Sequence, residues 1–124
     1  DAQIVVAEPE GWDDMTRSLQ LEEIVPVGAN PPPTTCDAIQ TLKVAPLTFD
    51  VLKAAGATGV AVSEEETFAA MRRAKQDLGV TIEPGGAVAL AALLSGKVKA
   101  GARTLVLLSG GNVDPQLFDR VMAG

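Results

Sequence analysis

A run of four aliphatic residues, Leu105–Val106–Leu107–Leu108, stops at Ser109 and is followed by Gly110, Gly111 and Asn112. A continuous apolar run of this kind, with no polar residue on alternate positions, marks a strand of a parallel sheet covered on both faces. Three earlier stretches read as strands as well: Ile4 to Glu10, which breaks at Pro9; Thr58 to Ser63, with Val60 and Val62 inward; and Val80 to Pro84. Helices fall between them. Asp13 or Asp14 is placed to cap one running through Leu19, and Leu47 to Gly56 forms a second with glycine at its end. Ser63 and Glu66 have capping-box spacing for a helix to about Leu78, with Phe68, Met71, Ala74 and Leu78 on one face. Gly85 to Val98 is apolar nearly all round, which requires burial on more than one side, and Asp114–Pro115 opens a closing helix. The expected fold is α/β: alternating βα units forming an open, mostly parallel sheet with helices on both faces, as one domain over residues 1–124. "VPVGANPPPTT" interrupts the pattern as a loop, since three consecutive prolines lack donors.

Composition removes several function classes. Net charge is −6 with no histidine, so the clustered cations needed along a nucleic-acid backbone are missing; Arg72, Arg73 and Lys75 read as a solvated helix face. No stretch reaches the roughly 18 uncharged apolar residues of a membrane span. Cys36 is the sole cysteine, which excludes an internal disulfide and points to a reduced, cytoplasmic setting. Without histidine, neither a Cys–His nor a Ser–His–Asp nucleophile can be assembled, and Cys36 reads as a small buried apolar residue. The start, Asp1–Ala2–Gln3, lacks an initiator methionine and runs straight into a strand, as expected of a fragment cut from a longer chain.

In parallel sheets ligands sit beyond the carboxyl ends of the strands. The strand ends here collect Glu8–Pro9, Glu83–Pro84–Gly85–Gly86 and Ser109–Gly110–Gly111–Asn112. Each has two readings. The glycines after Ser109 either make an ordinary turn or clear room for a flat ligand that the hydroxyl touches; no phosphate-binding glycine fingerprint occurs. Glu83 either accepts amides at the following helix start or meets a ligand at the same edge. Glu8 and Asp14, with a backbone carbonyl between them, suit a hard divalent cation; the other reading is Asp14 as a helix cap with Glu10 facing solvent, as most acidic clusters do.

Taken in order, "AEPEGWDDMTRSL", "TTCDAI", "LTF", "VSEEE", "IEPGGAVALAALLSG" and "LVLLSGGNVD" resemble the C-terminal part of the threonine dehydratase and serine racemase family, fold-type II enzymes using pyridoxal phosphate. The resemblance covers nearly the whole chain. It implies the large-domain part of the tryptophan-synthase-β-like fold. It places Ser109 at the pyridine nitrogen of the cofactor, with Gly110 beside it and Glu83 lining the pocket. A neutral hydroxyl there leaves the ring nitrogen less protonated than a carboxylate would, a weaker electron sink suited to β-elimination. The serine racemase branch holds a divalent cation, Mg or Ca, with residues that fall on Glu8, the carbonyl of Trp12 and Asp14.

The chain departs from the family by reading Cys36–Asp37–Ala38 where A-D-G is usual, next to the ring. Lys43, Lys53, Lys75, Lys97 and Lys99 lack the context of the family's Schiff-base lysine, which lies N-terminal to this region together with the phosphate cradle. The expectation is therefore one wall of the active site of an ammonia-lyase acting on L-threonine or L-serine, inactive by itself. It would partner the missing N-terminal half and associate as a homo-oligomer. The alternatives are a racemase, a 3-hydroxyaspartate ammonia-lyase, or a stand-alone non-catalytic α/β module.

Overall fold

The computed structural model describes residues 2–124. Two strands, β1 (Val5–Pro9) and β2 (Thr58–Val62), pair in parallel, with Val5 opposite Thr58 and Pro9 opposite Val62. The connection between them holds helix α1 (Asp14–Leu21), a 3-10 turn at Asp37–Ile39 and helix α2 (Pro46–Ala54). Helices α3 (Glu64–Leu78), α4 (Pro84–Leu94) and α5 (Pro115–Ala123) follow β2.

Side chains alternate across a strand, and the two cores reflect this. Val6 points to a small cluster of Met15, Val44 and Phe49 on the α1–α2 side. Ala7, Val60 and Val62 point to the main core, where Met71 and Ala74 of α3, Ala87, Val88, Ala91 and Ala92 of α4, and Val121 of α5 are buried with Ile82 and Cys36. Helices thus cover both faces of a parallel sheet. Gly59 is where α1 lies closest: a Cβ there would overlap Thr16, so only glycine lets the helix rest on β2.

The helix ends follow the local chemistry. Ser63 accepts from the Glu66 amide at 3.2 Å while the Glu66 carboxylate accepts from the Ser63 amide at 2.8 Å. Asp114 accepts from the Leu117 amide at 2.9 Å with Pro115 in the first turn of α5. Gly56 stands at φ +64 just past α2. Helix α1 is different: neither Asp13 nor Asp14 caps it. On α3 the buried face is Thr67, Ala70, Met71 and Ala74, with Phe68 half-buried, whereas Leu78 is 62% exposed.

The sheet is narrower than the apolar runs imply. Residues 80–84 and 103–111 carry no strand ladder; the Glu83 amide donates to the Gly110 carbonyl at 3.0 Å, and the two stretches otherwise run side by side without regular pairing. A parallel strand needs a neighbour whose amides and carbonyls complete its ladder. Leu105 and Leu107 are 85% and 72% exposed, while Val106 and Leu108 are half-buried, so one side of this stretch has nothing packed on it.

Candidate functional site

Pro84, with no donor to lose, starts α4, and the next two residues are glycines that separate two neighbours. A Cβ on Gly85 would sit 3.6 Å from Ala38 and Ile39, so the loop around the 3-10 turn packs on one side of the helix start. A Cβ on Gly86 would lie 2.9 Å from the Gly110 amide nitrogen and carbonyl oxygen, so the Ser109 turn packs on the other.

Glu83 fastens that turn. Its amide donates to Gly110, its carboxylate accepts from the Asn112 amide at 2.9 Å, and a Cβ on Gly110 would meet its Oε1 at 2.6 Å. A Cβ on Gly111 would meet the Thr81 carbonyl at 2.7 Å. The sequence alone leaves room for a flat ligand over these glycines. In the structure the space at Gly110 and Gly111 is taken by Glu83 and Thr81, and they serve the close approach of the chain to itself. Ser109 is exposed and directly precedes Gly110, whose carbonyl accepts from the Glu83 amide. In the sequence Gly86 stands only as part of the Glu83–Gly86 strand end with no role of its own, whereas in the structure its contact fixes the distance of Gly110 from the helix.

Glu8, at the end of β1, accepts from the Met15 amide at 3.1 Å, the Thr16 amide at 2.7 Å and the Thr16 hydroxyl at 2.6 Å. The cap of α1 is therefore a strand carboxylate, which satisfies first-turn amides and meets the positive end of the helix. Burial pushes the Glu8 carboxyl upward, partly countered by the Thr16 and Met15 donors. Asp14 is completely buried, and among the described residues neither of its oxygens has a hydrogen-bond partner at normal geometry; the Asp14 and Val44 amides lie near enough only to offset part of the burial effect. Its carboxyl is also pushed up, first by burial and then by Asp13. A buried carboxylate without donors is costly unless it is protonated or meets a cation. Trp12 is turned to the proline loop, its indole N–H donating to the Pro32 carbonyl at 2.7 Å. Among the described residues no group of three or more Asp, Glu, Cys or His is gathered for a metal ion. The acidic oxygens at this joint are thus those of Asp14, fully buried, and of Glu8, already holding three hydrogen bonds.

A cavity of about 190 Å³ lies at the carboxyl ends of both strands, lined by Pro9, Val62, Glu10, Cys36, Glu64 and Thr67 among others. Cys36 is buried, and its thiol is pushed up to about 11, chiefly by burial, so it stays protonated near neutrality and has little nucleophilic character. Lys97 ties this end to α4's far side: its ammonium donates to the Ala61 carbonyl at 2.8 Å and to Glu66 at 2.7 Å, with Glu10 at 3.6 Å. A larger cleft of about 460 Å³, between α3 and α5, is lined by Phe68, Arg72, Leu117, Arg120 and Val121 and includes none of the site residues singled out from the sequence.

A parallel sheet with helices on both faces defines the class of fold as α/β, in which ligands sit beyond the carboxyl ends of the strands. Comparison with known proteins narrows it. The pyridoxal-phosphate dependent enzyme family matches residues 1–110, and the chain belongs to that family. It is 31% identical to an L-threo-3-hydroxyaspartate ammonia-lyase of Pseudomonas sp over all of this chain and 39% of that protein. It is 33% identical to a serine racemase of Dictyostelium discoideum, covering 96% of this chain and 37% of the relative. Among solved structures, a threonine deaminase from T.th. superposes with a TM-score of 0.76 at 36% identity, over 90% of this chain and 40% of that one. The chain spans well under half the length of these relatives. Among the described residues no helix is long and apolar enough to cross a membrane.

Proposed function

We propose that this chain forms the ring-nitrogen wall of a pyridoxal-phosphate dependent ammonia-lyase that converts L-threonine or L-serine to a 2-oxo acid and ammonia. The observation that carries the reading is the Ser109 segment: an exposed serine on a stretch fastened by Glu83 against the glycine-bearing start of α4, in a chain matching the family through residue 110. When bound, the cofactor supplies an electron sink for the bonds broken at the substrate's α-carbon. Ser109 would donate its hydroxyl proton to the pyridine nitrogen, and being neutral it would leave that nitrogen uncharged. Glu83, whose amide and carboxylate hold Gly110 and Asn112, would keep the hydroxyl at a fixed height above α4. The chain's part is to seat and orient the ring; the group that accepts the α-proton and the cradle for the phosphate would come from elsewhere in the enzyme.

Asp14 is proposed to hold a divalent cation, with Glu8 and the Trp12 carbonyl beside it; the two unpartnered, buried oxygens of Asp14 support this. The cation's place would be structural, at the joint between β1 and α1. A reducing cytoplasmic location and a homo-oligomeric state belong to the same proposal.

The test is turnover by the intact enzyme with L-threonine, L-serine and L-threo-3-hydroxyaspartate, before and after Ser109→Ala. Losing the ring-nitrogen contact should remove most 2-oxo acid formation, on the order of a hundredfold for an oriented hydrogen bond at the reacting system. Unchanged kinetics would contradict the assignment. Interconversion of L- and D-serine without 2-oxo acid would move the enzyme to the racemases.

A further inference from the structure

Three consecutive acids open α3, and the structure separates their roles. Glu66 completes the capping box and binds Lys97. Glu65 is exposed and lies 3.5 Å from Arg72. Glu64 does neither: its carboxylate accepts both the amide and the hydroxyl proton of Thr35, the latter at 2.7 Å. Two donors from one residue to one carboxylate fix that residue's orientation as well as its position. Glu64 stands in the first turn of α3, where the positive end of the helix favours a negative charge.

Thr35 belongs to the loop that reaches α4. From it the chain continues through Cys36, whose amide donates to Thr34 Oγ1 and whose carbonyl accepts from Ile39, to Ala38 and Ile39 lying against Gly85. The loop and the Ser109 turn thus flank successive glycines of one helix start. The loop has little regular structure of its own beyond three residues of 3-10 turn. Its distance from α4 therefore depends on what holds it from outside, and on the α3 side that is Glu64.

We infer that Glu64, acting through Thr35, is a positioning residue that sets the loop wall facing the Ser109 turn, and with it the fit of the flat cofactor ring. This rests on the cofactor reading above and deepens it: with its carboxylate engaged by Thr35, Glu64 would act through the loop.

The experiment uses the intact enzyme and its Glu64→Ala, Thr35→Val and Thr35→Ser variants, with Ser63→Ala as a control that weakens the same helix start without touching the loop. Pyridoxal phosphate affinity is read by fluorescence titration, and hydrogen exchange is followed at residues 35–39. Glu64→Ala and Thr35→Val should weaken cofactor binding on the order of tenfold, the scale of one lost charge-assisted hydrogen bond, and speed exchange in the loop. Thr35→Ser keeps the hydroxyl and should bind as wild type. Equal affinity in wild type, Glu64→Ala and Thr35→Val, or a loss no greater than that of Ser63→Ala, overturns the inference alone. Failure of the wild-type enzyme to take up pyridoxal phosphate overturns the proposed function, and the inference with it.

Discussion

Asp14 is the residue whose surroundings least suit its chemistry. Its carboxylate is fully buried and, among the described residues, has no hydrogen bond of normal geometry at either oxygen, and burial raises its pKa together with that of Glu8. A carboxyl whose folded pKa exceeds its unfolded value binds its proton more tightly in the native state, so its contribution is full below the unfolded pKa and is lost as pH rises through the folded one. With no cation present, the protein should therefore lose stability as pH climbs from the ordinary carboxylate range toward neutrality. Asp14→Asn should flatten that dependence and raise Tm at neutral pH. If a divalent cation occupies the site, adding Mg or Ca should raise the wild-type Tm at neutral pH and leave Asp14→Asn unmoved. Thermal melts across pH, with and without cation, check both; a steeper pH dependence in Asp14→Asn would contradict the assignment of strain to this carboxylate. The spacing of Glu8 and Asp14 alone favours helix capping and a solvated acidic patch, and only the family resemblance raises the pair as a cation site. That Glu8 would cap α1 is not legible in the sequence, since the cap comes from a preceding strand and depends on the turn at Glu10–Gly11, closed by the Trp12 amide on the Pro9 carbonyl, folding the chain back.

At the scale of elements, helices were the most readable part. Their signals are local: Ser63 with Glu66, Asp114 with Pro115, and a glycine just beyond α2 all act within a few residues. Strands depend on partners distant in sequence, and only some of them were legible. Residues 4–10 and 58–63 find each other, whereas 80–84 and 103–111 have the composition of strands without a ladder. The joint between α4 and the Ser109 turn is the element-level feature on which the site rests. Gly86 lies against backbone atoms of Gly110, which cannot swing aside as a long side chain would. Gly86→Ala should consequently cost about 1–3 kcal/mol, the usual range for overpacking a tight contact, and displace the turn. Denaturant unfolding of the intact protein measures the first effect. A variant as stable as wild type would show that the turn yields freely and that its position is not fixed by α4.

The molecule as a whole presents a finished core beside an unfinished surface. Side chains from both strands and all three later helices form one cluster, yet Leu105 and Leu107 project into solvent next to backbone without strand partners. Exposed apolar rows beside unpaired backbone invite association. The chain also spans only 30–39% of the first curated relatives it matches. Expressed alone, it should self-associate, and the double substitution Leu105→Lys with Leu107→Lys should shift it toward monomer in light scattering. A wild-type chain that stays monomeric at high concentration would contradict this. The α/β class was legible because apolar runs and helical periods alternate along the whole chain. The width of the sheet was not, because it depends on neighbours that a strand's own residues do not specify.

The contact proposed between the hydroxyl of Ser109 and the pyridine nitrogen of the cofactor is the decisive one, and nitrogen-15 resonance of ring-labelled pyridoxal phosphate in the intact enzyme would report it directly. Replacing Ser109 with alanine should move the ring-nitrogen signal, because a hydrogen-bond donor is withdrawn from it. A signal identical in wild type and Ser109→Ala, with cofactor bound in both, would place the ring elsewhere.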